Sequence, residues 1–191
     1  YLSAKTQYLH AHYVRDKESL HYARANELKV DGILPDLAFN AFTDDLPTAN
    51  IHEDRLTVGL SFRTGQFDDQ EGQILDFVDR LIECLDPEKI DSIILTAQVE
   101  WDAVTMERIQ GHISRHHNIL TSLVICYDDI ATCEETYRRC DLVASNRLHV
   151  LLLAASQCRH VLAFVDPTYN AKIAGLFDTV GWTDHMVLAE E

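Results

Sequence analysis

The sequence predicts an α/β fold with a Rossmann-like parallel sheet and helices on both faces. One observation is the alternation, from residue 56 onward, of short apolar segments with longer segments of helical periodicity. A second is that these longer segments are amphipathic, with their apolar residues on one side. Strands alternating with helices of roughly ten to fifteen residues are typical of βαβ units, which build parallel sheets covered on both faces.

The predicted elements follow one another regularly along this part of the chain. Strands are predicted at 56–62, 90–96, 119–127, 142–144, 160–165 and 186–188. Helices are predicted at 72–85, 101–116, 130–139, 147–155 and 172–177. The helix at 72–85 has a clear buried face, formed by Ile74, Leu75, Val78, Leu81, Ile82 and Leu85.

The first part of the chain is less regular. A short strand is predicted at 12–14, a helix at 19–28, and a further strand that stops at a turn near Asp36. Residues 43–54 are polar and contain a proline, so a linker is predicted there. The chain begins at a tyrosine and not at a methionine, so we expect it to be the latter part of a longer protein.

Charge and composition argue against several classes of function. The 191 residues carry 16 Lys and Arg against 31 Asp and Glu, a formal net charge of −15. Such an acidic chain argues against nonspecific binding to nucleic acid or to an anionic membrane, although a few placed cations can still bind a small anion. The apolar run at 150–155 is much too short to span a bilayer.

Histidine and cysteine usage points to no metal site. The ten histidines are scattered along the sequence, and no zinc site is predicted. Five cysteines, an odd number, in a chain of this size indicate a reducing compartment. We therefore expect a cytoplasmic protein.

The most informative stretch is 145–149, Ser-Asn-Arg-Leu-His, at the start of an apolar helix. Ser145 or Asn146 is expected to cap this helix. Arg147 and His149 would then lie in its first turn, where backbone N–H groups are unpaired and the helix dipole is positive. Because a cation there disfavours the helix, a binding site for an anionic ligand explains the presence of both residues better than helix stability does. The alternative is structural: Arg147 pairs with a neighbouring acid and His149 binds a core carbonyl.

Other cations are predicted at the same edge of the sheet. Ligands of open α/β sheets bind beyond the carboxyl ends of the strands. Arg63 follows the first strand of the regular part, and Lys172 lies a few residues after the strand at 160–165. Arg63, Arg147, His149 and Lys172 are therefore expected along one edge. No Gly-x-Gly-x-x-Gly or Walker pattern follows any strand, so a dinucleotide or P-loop site has no support.

These motifs also resemble a known family. The 145–149 stretch, the apolar helix and strand after it, and Asp166-Pro167 with Lys172 look like the C-terminal signature of polysaccharide pyruvyl transferases. Residues 36–39, Asp-Leu-Ala-Phe, preceded by Val-Arg-Asp-Lys-Glu-Ser at 14–19, are similar to that family's other recurrent block. The family's glycine- and Asn-bearing N-terminal segment has no counterpart here.

The resemblance implies two Rossmann-like domains facing a cleft, similar to the GT-B glycosyltransferases. Residues 1–45 would be the end of an N-terminal Rossmann-like domain, 46–54 a linker, and 55–191 the C-terminal Rossmann-like domain. Either a second copy of the chain or the missing N-terminal half would complete the cleft. We expect the chain to be paired in one of these ways, or to be inactive alone.

The resemblance also implies a reaction. The family moves the enolpyruvyl group of phosphoenolpyruvate onto a saccharide hydroxyl, giving a pyruvate ketal in polysaccharide or exopolysaccharide biosynthesis. Planar arginines suit the carboxylate and phosphate of phosphoenolpyruvate, and protonation of its methylene carbon requires a general acid, usually a histidine. The expected partners are thus phosphoenolpyruvate and a saccharide, with no nucleic acid. A membrane would be approached only through a lipid-linked acceptor, and neither a cofactor nor a metal is expected.

The resemblance assigns roles to particular residues. His149 matches the motif histidine and is the predicted catalytic acid. Arg147, Arg15 and Lys172 match family positions that would bind substrate, and we add Arg63 and Ser145 as further substrate-binding candidates. The family usually has the lysine closer to Asp-Pro, whereas four residues intervene before Lys172. Asp36 is expected to cap a turn, and near the cleft it would orient an arginine or bind the acceptor.

Two other functions remain open from the sequence. One is a GT-B-type glycosyltransferase, in which Arg147 and Lys172 would hold the diphosphate of a nucleotide sugar. The other is a non-catalytic sugar-binding domain. A pyruvyl transferase should bind phosphoenolpyruvate and ignore nucleotide sugars, a glycosyltransferase should do the reverse, and a binding domain should turn over neither.

Overall fold

The computed structural model describes residues 10–34, 36, 38–39, 55–64, 69–157, 159–166 and 169–189. The strands are β1 Tyr13–Val14, β2 Gly32–Ile33, β3 Leu56–Ser61, β4 Ile90–Ala97, β5 Leu120–Ile125, β6 Leu142–Ser145, β7 His160–Val165 and β8 Met186–Leu188. The helices are α1 Lys17–Ala25, α2 Asp69–Leu85, α3 Glu100–His116, α4 Ile130–Arg138, α5 Leu148–Ser156 and α6 Ala171–Val180. The predicted linker at 46–54 lies outside the described residues.

The main sheet has six parallel strands in the order β5-β4-β3-β6-β7-β8. The chain starts this sheet at β3, in the middle, winds outward to β5, then returns to β6 beside β3 and winds outward to β8. The strand order therefore reverses between β3 and β6, which is the topological switch point of a doubly wound fold. The predicted α/β class with a parallel sheet is confirmed, and the strand predicted at 142–144 is observed as β6, near the middle of the sheet.

Helices cover both faces because successive side chains of each buried strand point to opposite sides. On β4, Ile93 and Leu95 pack in a cluster with the apolar residues of α2 and α3, whereas Ile94, between them, packs on the other face. There the cluster contains Tyr137 of α4, the apolar residues of α5 and Phe177 of α6. Each face is thus a separate apolar layer, and the prediction of helices on both faces is confirmed.

The N-terminal described segment forms its own small unit against α6. Strands β1 and β2 pair in parallel as a separate two-stranded sheet. Lys17 at the start of α1 donates from Nζ to the Asp178 carboxylate at 2.8 Å, and its backbone N–H donates to Thr179 Oγ1 at 3.1 Å. These bonds fix the segment that carries Arg15 and Asp36 beside the main sheet.

Within the described ranges, no helix is both long enough and apolar enough to cross a bilayer.

Candidate active site

A cleft opens at the carboxyl edge of the sheet, at the switch point between β3 and β6. We call it the basic cleft, because its lining includes Arg63, Arg147 and Lys172 together with His149, and none of its described lining residues is acidic. Its volume is about 450 Å³, within the usual range for a small-molecule site. These are the four residues that the sequence predicted along one edge.

Two asparagines join the loops that carry these cations. Asn146 accepts a hydrogen bond from the Arg63 backbone N–H at 2.9 Å and donates to the Arg63 carbonyl at 2.8 Å. Asn170 donates to the Asn146 carbonyl at 3.3 Å and accepts from the Asp166 N–H at 3.0 Å. The ends of β3, β6 and β7 are therefore tied together. The position of Asn146 directly after a predicted strand is the signal in the sequence for this role.

Arg147 forms an ion pair with Asp102, which lies in the first turn of α3. Asp102 is only 2 % exposed, so its carboxylate requires a partner, and Arg147 supplies the compensating charge. Burial, together with the nearby charge of Arg63, lowers the pKa of Arg147, while the ion pair favours its charged form. Arg147 thus pairs with an acid, as the structural alternative held, and still lines the basic cleft.

His149 lies at the opening of the cleft. Its side chain is 76 % exposed, which contradicts the alternative of a buried histidine bound to a core carbonyl. Its Nε2 lies 4.0 Å from the Asp36 carboxylate, which also accepts from Arg15 at 3.1 Å and from the Ala38 backbone N–H at 3.1 Å. Burial opposes ionisation of Asp36, but these hydrogen bonds prevail and hold its pKa below the usual range. Asp36 is therefore anionic at neutral pH and presents its carboxylate to His149.

Arg15 lies behind this pair and does not line the basic cleft. Its guanidinium contacts Asp36 and also lies 3.5 Å from the Asp16 carboxylate. The expectation that Asp36 orients an arginine is confirmed. Arg15 is therefore linked to His149 through Asp36.

Ser145 has a different place from the one predicted. Its side chain is fully buried, and its hydroxyl donates to the Ser61 carbonyl and accepts from the Arg147 backbone N–H at 3.0 Å. Helix α5 begins at Leu148, and Arg147 occupies the cap position without a side-chain cap hydrogen bond. The expected capping of this helix by Ser145 or Asn146 is therefore wrong. The Ser145 hydroxyl therefore links β6 to β3 and holds the backbone of Arg147 in place.

Lys172 lies in the first turn of α6, exposed and on the wall of the basic cleft. Four residues separate it from Asp166-Pro167, more than is usual in the family, and Lys172 nevertheless lines the cleft. Asp102, Asn146 and Asn170 were not singled out from the sequence as site residues. Asp102 in particular has the appearance of an ordinary acid at a helix start.

A second cleft of about 530 Å³ adjoins the basic cleft and shares two lining residues with it, Gln98 and His149. We call it the acidic cleft, because Asp128, Asp129 and Glu134 line it and none of its described lining residues is Lys or Arg. His149 therefore lies between two clefts of opposite charge.

No metal centre is found among the residues that the structure describes, where no three His, Cys, Asp or Glu side chains are arranged to hold an ion. His112 and His116 are four residues apart on α3, a spacing that zinc ligands on a helix also use. In the structure their rings stack at 4.5 Å, and His112 binds the Asp79 carboxylate.

A doubly wound α/β fold with a cationic cleft at its switch point defines a domain suited to a small anionic ligand. The sequence gives the family. The family model for polysaccharide pyruvyl transferase matches residues 3–166, the major part of the chain, and the chain belongs to that family.

Solved structures with a similar fold are only distantly related. A glycosyl transferase family 9 protein from Veillonella parvula is 11% identical, with a TM-score of 0.45 over 81% of this chain and 38% of its own. A mutant of TarM from S. aureus, in complex with Fondaparinux, alpha-GlcNAc-glycerol and UDP, is 13% identical, with a TM-score of 0.48 over 93% of this chain and 38% of its own. The chain thus spans well under half the length of these proteins, and similarities this low support no argument about function. No curated protein matches the sequence.

Proposed function

We propose that this chain carries the phosphoenolpyruvate site of a pyruvyltransferase, which transfers the enolpyruvyl group to a saccharide hydroxyl and forms a pyruvate ketal. The observation that carries the proposal is the convergence of Arg63, Arg147, Lys172 and His149 in one cleft. Membership in the polysaccharide pyruvyl transferase family supports it.

The charges of the basic cleft suit this donor. Phosphoenolpyruvate carries a phosphate and a carboxylate, and three cations without a lining acid offset that negative charge. Arg147 can present a planar fork to one anionic group because Asp102 holds its guanidinium in place. Lys172, in the first turn of α6, and Arg63, which follows β3, are exposed cations in the same lining, and they would bind the other group.

His149 would supply the proton. Transfer of a proton to the methylene carbon of phosphoenolpyruvate generates positive character at the adjacent carbon, which a saccharide hydroxyl attacks. The phosphate then leaves, and a second hydroxyl of the same saccharide closes the ketal. Asp36, 4.0 Å from Nε2 of His149, would stabilise the imidazolium before the transfer. The exposed imidazole is also within reach of a second substrate.

Ligand titration and phosphate release test this function in the full-length protein. Calorimetry should detect binding of phosphoenolpyruvate and no binding of UDP-glucose or other nucleotide sugars. Release of inorganic phosphate should require a saccharide. Binding of nucleotide sugars without phosphoenolpyruvate would instead establish a glycosyltransferase, and saccharide binding without turnover of either donor would establish a binding domain.

A further inference from the structure

The proposed reaction needs a binding site for its second substrate, and the acidic cleft lies beside the basic cleft, where such a site is required. His149 and Gln98 form the common wall of the two clefts. A transfer between two substrates requires both to be bound at once, with their reacting atoms close to each other and to the group that moves the proton. If phosphoenolpyruvate occupies the basic cleft, the adjoining open space within reach of His149 is the acidic cleft.

The lining of the acidic cleft suits a polyhydroxylated, uncharged ligand. The carboxylates of Asp128, Asp129 and Glu134 can accept hydrogen bonds from hydroxyl groups. Ile130 and Leu153 offer apolar surface, which suits the C–H face of a sugar ring. A second anion would be repelled here, since no Lys or Arg is found among the described lining residues.

The walls of this cleft are held by hydrogen bonds. Asp129 caps α4 by accepting from the Thr132 backbone N–H at 3.1 Å and from its hydroxyl at 2.6 Å. Gln98 donates from its amide to the Tyr137 hydroxyl at 3.2 Å. Two of the polar groups that a ligand would meet are therefore fixed before it binds.

We propose that the acidic cleft is the acceptor subsite, and that its carboxylates select neutral or amino sugars over uronic acids. The proposal rests on the proposed function for the nature of the acceptor. The cleft volume of about 530 Å³ accommodates a sugar unit. A uronate would meet like charges in this cleft, whereas an ammonium group would be attracted.

The test measures saccharide binding by the full-length protein without turnover. Titrations followed by saturation-transfer NMR use methyl glycosides of glucose, galactose and mannose, each as the neutral sugar, the amino sugar and the uronic acid. The parent protein should bind neutral and amino forms more tightly than the uronic form of the same sugar. In Asp128→Asn/Glu134→Gln this preference should fall about tenfold, because two nearby charges are lost. Asparagine suits position 128, where the backbone φ of 54° is left-handed.

Glu135→Gln is the matched control. Glu135 is the next residue on α4, but it is exposed and pairs with Arg138 at 3.1 Å. This variant should keep the parent preference. An unchanged preference in the double variant, an equal loss in Glu135→Gln, or no glycoside binding by the parent would each overturn the subsite.

Kinetics with phosphoenolpyruvate distinguish a failure of the acceptor subsite from a failure of the proposed function. The KM for phosphoenolpyruvate should stay within about twofold in the double variant, because the carboxylates lie outside the basic cleft. If the parent binds no phosphoenolpyruvate but shows the charge preference, the transfer reaction is overturned and the subsite stands. If phosphoenolpyruvate turns over but the preference is absent, the subsite alone is overturned.

Discussion

Two clusters of histidine and aspartate lie at opposite ends of this domain, and only one of them is open to a ligand. At the end of α3, His112 and His117 both bind Asp79 of α2, at 2.9 and 2.7 Å, and both imidazoles are largely buried. At the carboxyl edge, His149 lies 4.0 Å from Asp36 and is largely exposed. In the first cluster both imidazoles are bound to one carboxylate, an arrangement that can stabilise the contact between α2 and α3.

The difference in exposure between the two clusters identifies the candidate active site better than their residue types do. Both clusters combine imidazole with carboxylate, and both carboxylates have lowered pKa values. What distinguishes the carboxyl edge is an open cleft lined by Arg63, Arg147 and Lys172 and by no acid among its described lining residues, although Arg147 also pairs with the buried Asp102 behind the lining. The switch point provides the opening, because neighbouring connections there turn to opposite faces of the sheet.

The largest expected effect is that of His149→Gln. Glutamine keeps a hydrogen-bond donor but cannot transfer a proton, so turnover should fall by roughly 10²–10⁴-fold while phosphoenolpyruvate still binds. Initial rates and calorimetry on the same preparation measure both quantities. His112→Gln is the control from the closed cluster and should leave turnover unchanged. A His149 variant with near-parent turnover would exclude proton transfer by this residue.

Asp102→Asn should have the next largest effect. Loss of the carboxylate leaves Arg147 without its buried partner, and we expect the free energy of unfolding to fall by about 3 kcal/mol, the lower end for a broken buried pair. Arg147 would also lose its orientation, so the KM for phosphoenolpyruvate should rise more than kcat falls.

Urea denaturation and steady-state kinetics separate these two effects of Asp102. Glu100→Gln, an exposed acid on the same helical turn, should change neither. If stability falls while the KM is unchanged, Asp102 has only a structural role.

Arg147→Lys should weaken phosphoenolpyruvate binding by about 2 kcal/mol, the scale of one charge-assisted hydrogen bond. Lysine keeps the charge opposite Asp102 but loses the planar fork. Calorimetry measures the loss, and Arg108→Lys, at an exposed ion pair with Glu71, serves as the control. Unchanged affinity in a folded variant would leave Arg147 as the partner of Asp102 and nothing more.

The smallest effect is expected at the closed cluster. Burial opposes ionisation of Asp79, but the hydrogen bonds from His117 and His112 prevail and lower its pKa. Its contribution to stability is therefore fully present above the unfolded-state pKa of about 4 and is lost as the pH falls through the lower folded-state pKa. Because Asp79 is 35 % exposed, solvent screening limits this contribution to under about 1 kcal/mol.

Urea midpoints measured between pH 6 and pH 2.5 test this contribution. Asp79→Asn should be slightly less stable than the parent at pH 6, and the difference should disappear at the acid end. Its turnover should equal that of the parent. A stability difference that grows on acidification would contradict the direction of the pKa change.

The sequence by itself determined that helices cover both faces of a parallel sheet and that the candidate site residues meet at its carboxyl edge. Apolar periodicity predicted strands and helices close to their observed bounds, including the central strand at 142–145. Since all six strands of the main sheet are parallel, residues that follow different strands meet at one edge. For that reason Arg63, Arg147, His149 and Lys172 could be grouped in one site before any distance was known.

Only the tertiary structure decided what each side chain contacts. Asp102 pairs with Arg147 across 45 positions of sequence, and the Ser145 side chain is buried against Ser61 in the sheet and does not line the basic cleft. Trp101, an apolar residue in the first turn of α3, is 82 % exposed. Periodicity predicts which face of a helix or strand is buried. Long-range pairs, and the direction of a side chain at the end of a strand, depend on how several elements pack together. A local sequence pattern does not contain that information.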